Sequence, residues 1–214
     1  MTYTQSASPD AGFDRVAGVY DTLARLVFGD RLHMAQTVFL HRLPVQATVL
    51  IIGGGSGRLL REVLHRCQPQ QVIYIDASAR MLTKARAFVR EDARVTFRLG
   101  NETAIQMEQP VDVVITPFVL DLFTEERLAD VIIPRLYQAL KPGGLWLVSD
   151  FVQTRNWWQQ WLLNAMYRFF RLTAGIEARQ WPDWPRLLQQ AGLRPGEQQT
   201  MVGGQVTTGW WING

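Results

Sequence analysis

Short apolar runs alternate with amphipathic stretches along most of this chain. Continuous apolar runs are typical of strands that are buried on both faces of a parallel sheet. They predict strands at 47–52, 71–75, 94–99, 111–115 and 144–149. Apolar residues at helical spacing predict helices at 13–29, 31–42, 58–67, 78–90, 125–140 and 181–191. This alternation predicts right-handed βαβ units, with helices on both faces of a mostly parallel sheet.

The end of the chain departs from that alternation. Residues 193–202 and 205–212 have a strand-like pattern, and Gly203-Gly204 joins them, which predicts a two-residue antiparallel hairpin. The expected fold class is therefore α/β. It is a doubly wound, seven-stranded, mostly parallel, Rossmann-like sheet with a C-terminal antiparallel hairpin strand.

Charge and cysteine content narrow the possible partners. The formal net charge is only +3 and the arginines are scattered, so nucleic acid is an unlikely partner for this chain. A single cysteine, Cys67, excludes an internal disulfide and favours a reducing, cytoplasmic location. Polar residues interrupt the most apolar segment, 157–170, so no membrane span is expected.

A glycine-rich loop follows the first predicted strand. Gly53, Gly55 and Gly57 lie between that strand and the next helix, at the sheet edge where open α/β folds bind ligands. Glycines let a backbone approach a ligand closely, and a helix N-terminus offers free N–H groups. The alternative is a turn whose glycines serve only tight strand-to-helix packing.

The second predicted strand ends at Asp76, whose carboxylate can accept hydrogen bonds from both hydroxyls of a ribose. The alternative role for Asp76 or Ser78 is to cap the next helix. A dinucleotide fingerprint needs a third glycine where this chain has Arg58. The spacing therefore favours S-adenosylmethionine over a nicotinamide dinucleotide.

Five segments in order resemble the motifs of the class I S-adenosylmethionine-dependent methyltransferases. They are Val49 to Gly57, Tyr74 to Ser78 with Met81-Leu82 after it, Gly100-Asn101-Glu102, Val111 to Ile115, and Leu140 to Gly144. Phe13 to Asp21 is similar to the start of quinone-biosynthesis and lipid-modifying members. The resemblance implies one domain over 1–214. It would comprise N-terminal helices (1–43), a cofactor-binding core (44–150), a helical cover (151–180), and a final helix with the hairpin (181–214).

The resemblance also implies roles for individual residues around S-adenosylmethionine. The glycine loop would border the methionine portion, Asp76 would hold the ribose, and Tyr20 would close over the cofactor. The implied cofactor-binding residues are Tyr20, Gly53, Gly54, Gly55, Gly57, Asp76, Ala77, Met81, Asn101, Glu102, Thr116 and Pro117. The implied substrate-pocket residues are Phe118, Trp158, Trp161, Met166 and Phe169.

Two positions depart from the family pattern. Ile51 stands where the family usually has an acidic residue near the cofactor's ammonium group, and Asn101 stands where it usually has Asp. An Asn oxygen can still accept a bond from the adenine amino group, without charge assistance. Both changes predict weaker cofactor affinity, and Ile51→Asp is expected to tighten binding or leave it unchanged.

A sulfonium methyl is already activated, so a base is needed only for an acceptor that must lose a proton. The candidate bases are Tyr20, His33, Asp121 and Asp150, and each also has a structural reading as a core, surface or capping residue. No metal site is expected, because Thr116 and Phe151 stand where cation-dependent members carry ligands.

The aromatic segment 155–172 has three readings: a core helix, a lid over an apolar pocket, or an interfacial helix that touches anionic lipid. The expected function is methyl transfer to a small, apolar or aromatic acceptor. The alternatives are methyl transfer to a quinone or lipid at a membrane surface, with peripheral membrane contact, and a non-catalytic S-adenosylmethionine-binding scaffold.

Overall fold

The computed structural model describes residues 29–90, 92–152 and 181–214. The strands, in chain order, are β1 (Thr48–Ile52), β2 (Gln71–Asp76), β3 (Val95–Leu99), β4 (Val111–Pro117), β5 (Leu140–Phe151), β6 (Leu193–Met201) and β7 (Val206–Asn213). The α-helices are α1 (Arg31–Thr37), α2 (Arg58–Arg66), α3 (Ala79–Phe88), α4 (Glu125–Arg127), α5 (Ile133–Ala139) and α6 (Trp184–Gln190). Short 3₁₀ turns span Leu40–Arg42, Glu102–Ala104, Leu120–Leu122 and Val202–Gly204.

All seven strands form one sheet in the order β3-β2-β1-β4-β5-β7-β6. The first five pair in parallel, whereas β7 pairs antiparallel with both β5 and β6. The fold class expected from the sequence is confirmed.

Apolar cores cover both faces of the sheet, which explains the continuous apolar runs of the parallel strands. Along β1, Leu50 joins the core beneath α5 and α6, whereas Val49 and Ile51 join the opposite core beneath α2 and α3. Because successive strand residues point to opposite faces, most positions of β1, β2 and β4 are buried, whereas β3 at the edge of the sheet is partly exposed.

The hairpin and one helix differ from the predictions. The two-residue turn predicted at Gly203-Gly204 is wrong, because Met201 pairs with Val206 and the Val202–Gly204 turn plus Gln205 connect the strands. The helix predicted at 125–140 consists of α4, a π-helical segment over Leu128–Ile132, and α5. Pro134 begins α5, and its missing N–H accounts for the irregular ladder before it.

The parallel strands direct one edge of the sheet toward a common set of loops. Strands β1 to β5 end there, and the antiparallel register places Val206 of β7 opposite Phe151 and Met201 at the same edge. We call this side the carboxyl edge. Ser149 and Thr208 hydroxyls lie 2.8 Å apart there, and each is within 3.0 Å of the Ala35 carbonyl oxygen of α1. These contacts hold α1 against the edge.

Candidate functional site

The glycine loop connects β1 to α2 at the carboxyl edge. The Gly53 N–H donates to the Ile75 carbonyl at 2.8 Å, and the Tyr74 hydroxyl donates to the Gly55 carbonyl at 2.9 Å. Gly53, Gly55 and Gly57 have φ values of 68°, 67° and 92°, a region that L side chains rarely adopt. The loop is therefore fixed to β2 through its backbone.

Packing within the chain explains three of the four loop glycines. A methyl group at Gly53 would collide with Val119, one at Gly54 would lie 2.5 Å from the Tyr74 ring, and one at Gly57 would lie 2.8 Å from the Ala85 backbone. At Gly55 nothing in the described parts of the chain lies within 4 Å of such a methyl. The packing explanation therefore fails at Gly55, where the loop presents an open side.

Asp76 supports that loop from the end of β2. Its carboxylate is buried and accepts the Gly55 N–H at 3.0 Å and the Ser78 N–H at 2.9 Å. Ser78, not Asp76, caps α3, because its hydroxyl accepts the Met81 N–H. A carboxylate can accept about four hydrogen bonds, so anchoring the loop is compatible with accepting from ribose hydroxyls. Ala77 and Met81, the expected adenine contacts, flank this cap, half-buried and buried respectively.

Asn101 and Glu102 follow β3 at the same edge, and both have partners within the protein. The Asn101 side-chain oxygen accepts from the Thr103 N–H at 3.0 Å and from its hydroxyl at 2.8 Å. Glu102 is buried and forms an ion pair with Arg127, and its carbonyl accepts from Arg135. The expected adenine contact of the Asn101 oxygen stays a prediction, and it would compete with this cap.

Thr116, Pro117 and Phe118 form the end of β4 beside the glycine loop. Thr116 is fully buried, and its hydroxyl accepts the Trp146 indole N–H at 3.0 Å. Phe118 has a φ of 57° and donates its N–H to the Ser149 carbonyl at 2.7 Å. A left-handed conformation at a bulky residue costs about 1–3 kcal/mol and is found most often at functional sites.

An apolar cluster lies at the carboxyl edges of β4 and β5, which we call the edge cluster. Its buried members are Leu32, Ala35, Phe118, Phe151 and Val206, and Trp181, Met201 and Val202 pack against them. The Phe118 and Phe151 ring centroids are 5.2 Å apart, and those of Phe151 and Trp181 are 6.0 Å apart. Of the five expected substrate-pocket residues, Phe118 is therefore in an aromatic setting.

The remaining expected pocket residues, Trp158, Trp161, Met166 and Phe169, lie outside the described residues, as does Tyr20. The same holds for the helix expected at 13–29 except Gly29 and for the aromatic segment 155–172. Contact of that segment with a membrane surface and the cytoplasmic location stay predictions. Across the described ranges, no helix has the length and hydropathy needed to cross a membrane.

The other three candidate bases occupy different settings. Asp150 is fully buried and accepts three backbone N–H bonds, and its carboxyl group interacts with that of the buried Asp121. His33 on α1 is half-buried. Burial, and then the charge of Arg58, lower the pKa of its imidazole. Within the described part of the chain, the His33 Nδ1 atom is buried and has no hydrogen-bond partner. A neutral imidazole with an unused nitrogen can accept a proton, whereas Asp150 is engaged by the backbone.

Two further observations concern metals and the acidic position that this chain lacks. Residues 29–90, 92–152 and 181–214 contain no group of three His, Cys, Asp or Glu side chains that could hold a metal ion.

Ile51 is fully buried in the core beneath α2 and α3. Ile51 therefore packs in the core of the fold and does not border the open side of the loop as a ligand-binding group.

Sequence reasoning missed Gln205, which precedes Val206 of the edge cluster. Gln205 is 3% exposed, and its Oε1 has no hydrogen-bond partner among the residues that the structure describes. A buried amide oxygen without a partner is costly, and such atoms are found where a ligand or water completes the bonding. The sequence held no signal for it, because a Gln in a glycine-rich turn is expected to be solvent-exposed.

The glycine loop, the buried Asp76 carboxylate and the apolar edge cluster thus lie at the carboxyl edge of one Rossmann-like sheet. Residues 49–144 match the methyltransferase domain family. A methyltransferase from Haloferax volcanii, solved in complex with the Trm112 methyltransferase activator, superposes with a TM-score of 0.70 at 16% identity. That alignment covers 98% of this chain and 99% of the other, and it shows a shared fold.

Two curated relatives match about half of this chain. A polyamine aminopropyltransferase from Moorella thermoacetica is 31% identical over 130 residues, which cover 54% of this chain and 44% of the relative. An arsenite methyltransferase from Halobacterium salinarum is 35% identical over 111 residues, which cover 50% and 28%. The chain thus spans less than half the length of these relatives. Residues 49–144 are thus similar to methyltransferase domains.

Proposed function

We propose that this chain is an S-adenosylmethionine-dependent methyltransferase whose acceptor is a small apolar or aromatic molecule. The observation that carries the proposal is the meeting of two features at one sheet edge. Among the described residues, nothing fills the space beside Gly55, whose N–H donates to Asp76. Val119 packs against Gly53 and directly follows Phe118, a member of the edge cluster. Methyl transfer requires donor and acceptor to meet in that way.

The residues present fit the cofactor. The open side of Gly55 would admit the methionine portion, Asp76 would accept from the ribose, and Ala77 and Met81 would contact the adenine. The bound cofactor supplies an activated methyl group on a sulfonium. The chain's own tasks are to orient the acceptor and to keep water from the reacting atoms.

The edge cluster supports an acceptor with an apolar body, because its aromatic rings give a close-packed surface without charge. Gln205 supports one polar feature on that acceptor. Its buried Oε1 would accept a hydrogen bond from a hydroxyl or amine group. For an acceptor that must lose a proton, His33 is the best base among the described candidates, because its lowered pKa keeps it neutral near pH 7.

The test is a product screen with methyl-labelled S-adenosylmethionine and a panel of small acceptors, read by mass spectrometry. The panel contains aromatic alcohols and amines, and polar acceptors of similar size. We expect labelling of aromatic members and its loss in Phe118→Ala. The control is Phe88→Ala, an exposed aromatic on α3. Labelling confined to polar acceptors, or equal in both variants, would contradict the proposed acceptor class.

A further inference from the structure

Asp121 and Asp150 form a buried pair of carboxyl groups next to residues 118–120, which lie between the glycine loop and the edge cluster. Asp150 lies near the end of β5, and Asp121 lies in the Leu120–Leu122 turn. The two carboxyl groups interact directly, and both residues are almost entirely inaccessible to solvent. Two carboxyl groups that meet away from water repel each other unless one of them carries a proton.

The pair is tied directly to the backbone of that segment. One Asp150 oxygen accepts from the Val119 N–H at 3.0 Å and from the Leu120 N–H at 2.7 Å, and the other accepts from the Phe151 N–H at 2.8 Å. The left-handed Phe118 immediately precedes Val119. A strained conformation persists only where surrounding bonds fix it, and these bonds do so.

The fixed segment touches both halves of the proposed site. The Val119 side chain packs against Gly53, so closely that any side chain at Gly53 would collide with it. The Phe118 ring packs against Phe151 in the edge cluster. A shift of the Phe118–Leu120 backbone would therefore move Val119 relative to the glycine loop and Phe118 relative to the edge cluster at the same time.

We infer that Asp121 and Asp150 act as a proton-holding clamp that positions residues 118–120 between the cofactor loop and the acceptor region. The inference rests on the proposed function. Asp150 and Asp121 are positioning residues, since they act through Phe118 and Val119. Loss of the shared proton would leave two adjacent buried carboxylates that repel each other, and the segment would open.

Burial, and then the neighbouring Asp121, raise the pKa of Asp150 well above its ordinary value, while the N–H groups of Leu120 and Phe151 oppose that change. Asp121 is the titratable group that faces Asp150 among the described residues. A group with a raised pKa in the closed state favours that state most at low pH. This advantage is lost as the pH rises from the ordinary value toward the raised one.

The test is amide hydrogen exchange of Val119 and Leu120, measured by NMR as protection factors between pH 6 and pH 9. In the wild type, protection should fall by up to about tenfold per pH unit, the slope for release of one proton. In Asp121→Asn, the amide donates to Asp150 without titrating, so protection should be independent of pH. Asp130→Asn, which changes an exposed acid, should behave as the wild type.

Identical pH dependence in the wild type and Asp121→Asn would overturn the inference. Should Asp121→Asn not fold, the carboxyl ¹³C shifts of the wild type decide. A carboxyl group of the pair that keeps its protonated shift above the ordinary titration range of aspartate, about pH 4, supports the clamp, and two groups that both titrate within that range refute it.

Calorimetric titration with S-adenosylhomocysteine tests the link to the site. Because Val119 contacts Gly53, we expect folded Asp150→Ala to bind about tenfold more weakly and Asp121→Asn to change by less than about threefold. Unchanged affinity in Asp150→Ala would reduce the pair to a structural role. If the wild type does not bind at all, the proposed function fails, while the exchange measurement still tests the clamp.

Discussion

At the residue scale, we propose that the carboxylate of Asp76 and the missing side chain of Gly55 form the cofactor end of the site. Asp76 accepts the Gly55 N–H, and nothing in the described ranges lies within 4 Å of a methyl group placed on Gly55. The polar bond fixes the loop, and the open position leaves space for a ligand. Neither residue alone would indicate a ligand, since buried carboxylates and glycine turns are both common.

We predict that Asp76→Ala weakens binding of S-adenosylhomocysteine by about 1–3 kcal/mol, the range for removing a buried hydrogen-bond partner. The matched control is Asp112→Ala. Asp112 also accepts a backbone N–H, from Thr48 at 2.8 Å, but at the opposite end of the sheet. Isothermal titration calorimetry on both folded variants compares them. Equal affinities would show that Asp76 only anchors the loop.

The burial of Ile51 changes what we expect of an acidic residue at position 51. We predict that Ile51→Asp lowers the free energy of unfolding by about 3 kcal/mol or more, because a charge would be placed in a fully buried apolar position. Ile51→Val is the control and should cost about 0.5–1.5 kcal/mol. Urea unfolding measures both. An Ile51→Asp protein of wild-type stability that binds S-adenosylhomocysteine more tightly would restore the expectation drawn from the family pattern.

At the element scale, α1 is held to the sheet by two hydroxyl groups from different strands. Ser149 of β5 and Thr208 of β7 both reach the Ala35 carbonyl, and Leu32 and Ala35 of α1 complete the edge cluster. The same short helix is therefore anchored to the sheet by polar contacts and contributes apolar residues to the edge cluster.

We predict that Thr208→Val lowers the free energy of unfolding by about 1 kcal/mol and that adding Ser149→Ala raises the loss to about 2–3 kcal/mol. Because the two hydroxyls share one acceptor, the single losses should not add, which a double-mutant cycle measures. Thr96→Val on β3, at an exposed position, is the control and should change stability by less than about 0.5 kcal/mol. Additive losses would show that the hydroxyls act independently.

The elements also show how far the sequence determines this fold. Strands β1 to β4 were predicted to within two residues at each end, since strands buried on both faces leave continuous apolar runs. The turn between β6 and β7 was predicted wrongly, because Val202 adopts a φ of 54°, which a valine does not favour. The Asp121–Asp150 pair joins residues from two strand ends, and only the sheet order brings them together.

At the scale of the whole molecule, Cys67 reports on opening of the folded state. It is the only cysteine of the chain, its thiol is buried, and its Sγ donates to the Leu40 carbonyl at 3.4 Å. Burial raises the pKa of the Cys67 thiol to about 11. The thiol is therefore protonated at neutral pH and reacts only when the protein opens.

We predict that S-adenosylhomocysteine at 100 times its Kd slows labelling of Cys67 by about 100-fold, since a ligand of the folded state reduces the open fraction in that proportion. Labelling in urea, where the thiol is exposed, should not respond to the ligand. A labelling rate unaffected by a ligand that calorimetry shows to be bound would mean that Cys67 opens locally.

The most direct test of the central claim is calorimetric titration of S-adenosylhomocysteine into the wild type, Gly55→Ala and Gly143→Ala. Both glycines have positive φ, 67° and 73°, and a methyl group at either meets nothing described within 4 Å, so both variants carry a similar strain of about 1–2 kcal/mol. Gly143 lies before the parallel part of β5, at the opposite end of the sheet. We predict one site per chain, at least tenfold weaker binding in Gly55→Ala, and wild-type affinity in Gly143→Ala. No binding by the wild type at millimolar ligand, or equal affinities in the two variants, would contradict a cofactor site at the glycine loop.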